Sequence, residues 1–401
     1  MSTSIPQHVN PQHVVDIDVY ALPGTHDDYH TAWVNFLQST PEDAKLVWTT
    51  RNGGHWIPVR ADAILEIFGD HEHFSSRIAQ VPRERGLRYR ALPQTLDPPE
   101  HKAFRDLLAP TFSLKGLKEL EPFVRTTAVL LVEGFKDRGS CEFMQEFCFE
   151  LPIRVFMKLV DLPMNDAPML KHWADEMVRP TYMTLEQVYE KFVEYLGPRL
   201  AARKGGQGTD LLTQFVNATI EGRPIRDDEV MNLATQVLFG GLDTVAAITG
   251  FVFRHLAGDA ALCRRIVDEP ARIPAVVDEL IRRFPIAVAG RVLKDDYDFH
   301  GTRLRKDDIV SMPTMAFSFD QRSLPDTFDV KLDRPSARNA TFGNGIHQCP
   351  GQALARLELR IALETWFARI PTFRIAPGAM ITTSGGAVGL IKALPLEWDV
   401  G

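Results

Sequence analysis

Cys349 lies in the stretch Phe342-Gly343-Asn344-Gly345-Ile346-His347-Gln348-Cys349-Pro350-Gly351, which runs into Ala353-Leu354-Ala355-Arg356-Leu357-Glu358-Leu359. Glycines on both sides of the thiol and an apolar run at helical spacing predict a tight turn that delivers one sulfur to a helix N-terminus. There the positive end of the helix dipole and the unpaired N–H groups favour S⁻ over SH, and a thiolate binds soft metals or attacks carbon. Three readings follow: a metal ligand, a nucleophile assisted by His347, or an inert buried thiol. The second is the weakest, because residues two apart on one turn rarely reach the geometry of nucleophile and base.

Further candidates are spread along the chain. Gly240-Gly241-Leu242-Asp243-Thr244 falls in the middle of a long apolar helical segment. Adjacent glycines in a helix interior cost about 2 kcal/mol relative to alanine. Close approach of a flat ligand would account for them, as would a local widening in which Thr244 holds a water instead of bonding its own backbone, or simple helix packing. A buried Asp243 beside such a gap needs a partner and is a natural proton relay. Glu279 and Arg282 share a helix face, and Arg334 stands shortly before the cysteine turn, so the three could form a charged triad pinning that turn to the helix. A solvated surface pair is the bland alternative. His101 and Arg105, four apart on one helix face, could jointly hold an anionic group. With Arg291 and His347 they would suit a ligand with a carboxylate rim.

The elements that must position these residues are mostly helical. The spacing of apolar residues predicts helices over 102–108, 117–135, 143–159, 167–178, 185–204, 210–218, 227–256 and 273–283, a helical body of about 99–284. Asp227 is the expected N-cap of the long segment, with Asp228 and Glu229 in its first turn. Apolar nearly all round, this segment should run through the centre of the molecule. Runs at 46–50 and 55–59 around Asn52-Gly53 predict a hairpin, and short extended runs return over 290–400, with turns at His300-Gly301 and Lys306-Asp307. The fold class is therefore mainly α with a minor β-rich region, β-rich near 46–60 and 290–400.

The chain has 401 residues, 45% of them apolar, and a net charge of −7 with both signs interspersed, so a nucleic-acid footprint is not expected. Its four cysteines, Cys141, Cys148, Cys263 and Cys349, form neither a disulfide framework nor a zinc-type pair, which indicates a reducing compartment. No secretory pattern stands at the N-terminus, and the polar Gln236 and Asp243 with the glycine pair argue against a membrane span at 233–253.

In their order along the chain, the Cys349 run, Gly241 to Thr244, Glu279 with Arg282, and Arg334 resemble the cytochrome P-450 haem-thiolate monooxygenases. The Cys349 run fits the pattern Phe-Gly-x-Gly-x-His-x-Cys-x-Gly at every fixed position. Within that family the likeness is to the soluble bacterial branch, of the camphor 5-monooxygenase type, on Gly240 to Val245, the Leu-Asp-Pro-Pro-Glu string from Leu96, and Ala393 to Asp399. The resemblance implies one P-450 domain over 1–401, a long central helix over the haem, and haem b as cofactor. Cys349 would be the proximal iron ligand, pushing electron density toward the metal. Phe342 would pack beside the sulfur and Gly351 would tune it through its N–H. His101, Arg105, Arg291 and His347 would bind the haem propionates, and Asp243 with Thr244 would deliver protons during O₂ activation.

The same resemblance implies hydroxylation of a C–H bond with O₂. No flavin or pyridine-nucleotide segment is apparent, so a [2Fe–2S] ferredoxin with its reductase should supply the electrons, with Lys102 and Arg105 as contacts for it. A cytoplasmic monomer is implied, with no membrane or nucleic-acid partner. Tyr89, Ala91, Gln236, Phe239, Ala287 and Val388 would line the substrate. Tyr89 would offer a hydrogen bond to an acceptor oxygen. Ala91 and Ala287 are small and Phe239 large where camphor-type pockets carry a bulky aromatic, a valine and a valine, and Gln236 is polar where leucine is expected. A reshaped pocket for a small apolar, cyclic terpenoid or norisoprenoid is the resulting expectation. A haem-binding sensor or electron-transfer protein on the same fold is the alternative.

Overall fold

A computed structural model describes residues 4–84, 90–178, 181–323, 325–335 and 337–400. Its helical body follows the apolar spacing closely: Ala167–Val178 and Ile273–Arg283 have the expected bounds, while Glu100–Asp106, Leu114–Glu133, Leu185–Ala201 and Leu211–Val216 shift at their ends. The segment expected over 143–159 divides into a π-helical turn, Met144–Cys148, and the α-helix Glu150–Val160. Gly250 of the central helix lets this turn come close, since a Cβ there would stand 2.6 Å from the Met144 sulfur.

The central segment begins one residue earlier than expected in its capping. Arg226, not Asp227, occupies the N-cap, and the Glu229 carboxylate accepts the Arg226 N–H at 2.9 Å. Asp227 turns outward instead and pairs with Lys204 at 2.6 Å. Continuity was also overestimated, for the segment is two helices, Asp227–Leu242 and Thr244–Leu256, meeting at Asp243. Together they are long and apolar enough to cross a membrane, but 67% of the most apolar window is buried inside the protein.

Both β-rich stretches contribute to one sheet. Its six strands run in the order Val14–Val15, Leu46–Thr49, His55–Pro58, Ile309–Pro313, Val288–Leu293 and Phe74–Ser75. Leu46–Thr49 and His55–Pro58 are the expected antiparallel hairpin, with Trp48 opposite Trp56. Their turn is longer than an Asn-Gly pair: a 3-10 turn over Arg51–Gly53 precedes Gly54, and Asn52 (φ 50°), Gly53 (φ 86°) and Gly54 (φ 82°) are all left-handed. Val310 then pairs in parallel with Trp56, joining regions some 250 residues apart. Every residue of these two hairpin strands is buried. Such uniformly buried strands are covered on both faces, so they lack the alternation that betrays an edge.

The apolar interior falls into two clusters. Leu233, Leu238 and Leu242 of the central segment belong to one, together with Leu92, Leu96 and Phe104. Ala246, Phe251 and Phe253 of the same segment belong to the other, with Leu357, Leu359 and Val388. The division falls at Asp243, so the break in the helix coincides with a seam through the core.

Candidate active site

The cysteine turn is built as its composition suggests. Gly343 (φ 71°) and Gly345 (φ 69°) take left-handed conformations, and a Cβ on Gly345 would lie 2.8 Å from the Phe68 carbonyl oxygen. The Cys349 N–H donates to the Phe342 carbonyl at 2.9 Å, closing the loop, and Gly351 is the N-cap of the helix Gln352–Phe367. One expectation about the sulfur is corrected here: the helix terminus does not by itself make a thiolate. Burial pushes the Cys349 thiol up, against the opposing pull of the Gly351 N–H, the guanidinium groups of Arg105 and Arg356, and the Gln352 N–H. The sulfur is an oriented thiol that the positive charge of a bound metal would deprotonate. His347 does not assist it, since among the described contacts its ring stands edge-on to His101, with centroids 4.3 Å apart.

Around this turn the structure gathers the four expected cationic or donor side chains, and none of them forms an ion pair among the described residues. Arg291 is buried, and its guanidinium donates to the adjacent Gly290 carbonyl at 2.8 Å and lies over the Phe68 ring. Gly290 must be glycine, because a Cβ would stand 2.8 Å from the Ala79 carbonyl carbon and the Ile78 oxygen. Burial draws Arg291 down to about 10. Burial, and then the charges of Arg291, His101 and Arg105, push His347 down to about 2. His101 is lowered by burial and by Arg105. Among the described residues, Nε2 of both His101 and His347 is buried with no hydrogen-bond partner. Arg291 and His101 feel Asp97, whose Oδ1 already accepts the Ser76 N–H at 3.0 Å, and His101 also feels Asp106. Buried donors left unsatisfied around concentrated positive charge fit a carboxylate-bearing ligand.

The seam supplies the space for a flat one. Phe342, Ala353 and Leu354 on one side, and Ala103, Leu107, Phe112 and Phe239 on the other, are only partly buried although they flank the two cores. Phe112 comes up to the same turn, as a Cβ on Gly351 would be 3.9 Å from both Cys349 Sγ and the Phe112 ring. Gly240 is exposed in the middle of an internal helix, with nothing within 4 Å of a Cβ placed there. That excludes helix packing as the reason for this glycine. The helix is disturbed beside it, at Asp243, but Thr244 does not leave its own backbone: its Oγ donates to the Gly240 carbonyl at 2.9 Å. Close approach of a ligand is the account that remains. These residues fit a planar, iron-bearing dicarboxylate such as haem.

The charged triad forms as expected. Arg282 makes a bidentate contact with Glu279 at 2.8 and 2.9 Å, and Arg334 reaches the same carboxylate at 3.0 Å. Their remaining N–H groups bind carbonyls of Thr327, Asp326 and Asp329 in the loop that leads to the cysteine turn. Burial opposes charge on Glu279, but the Arg282 bonds, the Lys331 N–H and Arg334 outweigh it and hold the carboxyl below its ordinary range. A group depressed in this way stabilises the fold above its unfolded pKa, and that stability is lost as pH falls through the folded value. Glu279→Ala is expected to cost about 3–5 kcal/mol, because Arg282 would be left buried and uncompensated. Denaturant unfolding at neutral pH checks this, and the deficit should shrink in acid.

On the expected substrate side, Ala287 and Val388 are brought together as bridge partners, and Ala91 is buried at the start of the loop that leads to His101. Phe239 packs edge-on to Phe192 of the helix Leu185–Ala201, with ring centroids 5.2 Å apart. Gln236 donates to Gln94 at 2.8 Å, a partner that sequence reasoning missed. No local signal marks Gln94, for its role comes from the fold alone. Tyr89 lies outside the described residues.

Residues 149–370 match the family Cytochrome P450. "Probable cytochrome P450 127A1" of Sinorhizobium fredii is 32% identical over 400 residues, covering 98% of this chain and 97% of that protein. Among solved structures, CYP101J2 is similar at 41% identity and a TM-score of 0.92, covering 99% of this chain and all of the other. CYP101C1 gives 37% identity, a TM-score of 0.92 and the same coverage. The chain belongs to the cytochrome P450 family. It is a haem b enzyme and a monooxygenase, an oxidoreductase of the class that its fold and its cysteine turn already pointed to.

Proposed function

We propose that this enzyme hydroxylates an unactivated C–H bond of a small, mostly apolar terpenoid or norisoprenoid, with electrons delivered singly by a [2Fe–2S] ferredoxin and its reductase. The observation that carries the site assignment is the convergence of the Cys349 sulfur, the anion-seeking group of Arg291, His101 and His347, and the open face at Gly240 upon one seam. Bound haem, held through Cys349, supplies O₂ activation and oxygen insertion. The protein's own residues perform the other tasks. Arg105, Arg291, His101 and His347 anchor the propionates, and Phe342 and Gly351 shape the surroundings of the sulfur. Asp243 and Thr244 carry the exchangeable protons beside the open face of the helix. One oxygen atom enters the C–H bond and the other leaves as water, consuming two electrons and two protons.

The terpenoid assignment rests on the likeness to camphor-type enzymes, supported by the small apolar groups Ala287 and Val388 side by side and a buried Ala91. Lys102, exposed on the helix that carries Arg105, supports an acidic electron donor on that face, and a cytoplasmic monomer is consistent with this donor. Titration of bicyclic ketones and extended norisoprenoids tests the reading. Productive binding should displace water from ferric haem and shift it from low to high spin. A panel without any such shift contradicts the substrate class.

A further inference from the structure

Gln236 and Gly240 are four apart on the helix Asp227–Leu242 and so share one face, the face that is open at Gly240, and Thr244, just beyond the break at Asp243, bonds back to Gly240. Near one end of this row is the Thr244 hydroxyl, bonded to the Gly240 carbonyl. At the other is the amide pair in which Gln236 Nε2 donates to Gln94 Oε1 at 2.8 Å. Both glutamines are partly exposed, so the pair is not sealed inside a core cluster. Eight residues along the segment, across the break at Asp243, separate the two ends by roughly 12 Å at the backbone. Gln94 belongs to the loop that carries Ala91 and continues to His101.

We infer that the Gln94–Gln236 pair is the polar anchor for the substrate, binding a ketone or hydroxyl oxygen so that hydroxylation falls on a carbon remote from that oxygen. The inference rests on the terpenoid-type reading above. Each primary amide has two N–H donors and one carbonyl acceptor, and their mutual bond uses one donor and one acceptor. The Gln94 N–H groups and the Gln236 carbonyl stay available within reach of each other. A ketone accepts from the first, and a hydroxyl accepts from the first while donating to the second. A hydrocarbon of the same skeleton leaves both unpaired, and a site built for hydrogen bonding discriminates against such a ligand. The distance along the helix converts this anchor into regioselectivity. With the oxygenated end held at Gln94 and Gln236, the part of the skeleton level with Thr244 lies on the order of 10 Å away.

The test uses the haem-loaded enzyme and three probes on one skeleton: an ionone-type ketone, the corresponding alcohol and the deoxygenated hydrocarbon. Spin-state titration gives their affinities, and turnover with a ferredoxin and reductase gives the oxidised position. The wild-type protein should prefer the oxygenated probes by roughly tenfold, on the scale of one or two neutral hydrogen bonds. Gln94→Leu and Gln236→Leu should each remove most of that preference, by weakening the oxygenated probes and relieving the penalty on the hydrocarbon, and should scatter the oxidised position. Gln236→Met provides the same loss of hydrogen bonding in a flexible side chain should leucine disturb folding. Unchanged preference and position in variants that retain the thiolate-haem spectrum would overturn the anchor and reduce the pair to a tie between loop and helix. If no probe on this skeleton shifts the spin state, the terpenoid reading fails and the anchor with it. If the hydrocarbon binds as tightly as the ketone, only the anchor fails.

Discussion

Cys349→Ser is expected to abolish the spectrum of thiolate-ligated haem and to lower product formation by about three orders of magnitude, the scale on which loss of a central electrostatic group acts. The fold should survive. The turn is held by the Cys349 N–H bond to the Phe342 carbonyl and by Gly343 and Gly345, none of which needs the sulfur. Haem should also remain associated, since Arg291 on the strand Val288–Leu293 and His101 and Arg105 on the helix Glu100–Asp106 do not depend on the sulfur. A serine hydroxyl in this buried position is a far weaker ligand than a thiolate and gives the metal less electron density. The reduced protein treated with CO reports the change directly. A variant that kept the red-shifted Soret band would remove Cys349 from the ligand position, and another of the cysteines would have to serve. Cys141, Cys148 and Cys263 are poor candidates, because all three are buried, whereas Cys349 is partly exposed on its turn.

Thr244→Ala should leave haem and substrate binding nearly intact while diverting reducing equivalents to peroxide or excess water. Product per NADH should fall on the order of tenfold or more, within the range attributed to a positioned proton donor. Thr244 is the first residue of its helix, after the break at Asp243, and its hydroxyl donates to the Gly240 carbonyl beside open space. It therefore holds a hydroxyl where a proton can be passed, with an orientation fixed by the backbone. Thr244→Ser keeps that hydroxyl and should restore most of the coupling, whereas Thr244→Val keeps the shape and should not. Measuring NADH, peroxide and product together separates these outcomes. Unchanged yield in the alanine variant would show that protons arrive by another route.

The sequence was most informative where chemistry depends on local pattern. The glycine-bracketed Cys349 turn, the Glu279–Arg282–Arg334 set and the His101/Arg105 spacing each specify a geometry over a few residues or along one helix, and the structure places them so. Other features were set by contacts distant in the chain. The hairpin at 46–60 gave no sign of joining Ile309–Pro313, because sheet partners need no shared local pattern. The cap moved from the expected Asp227 to Arg226, and the helix expected to be continuous breaks at Asp243, where side chains, Glu229 and Thr244, compete for backbone groups. The thiolate expectation failed for a similar reason: it weighed the helix dipole, which is local, and not burial by the surrounding core, which outweighs it. Gln94 was illegible until the fold brought it to Gln236.

The most direct test of the account is the absorption spectrum of the intact, purified protein, first reduced with dithionite and then exposed to CO. A thiolate from Cys349 on haem iron predicts the strongly red-shifted Soret band, stable across neutral pH. A band at the position typical of histidine-ligated haem, or a colourless protein without iron, would contradict the account at its centre.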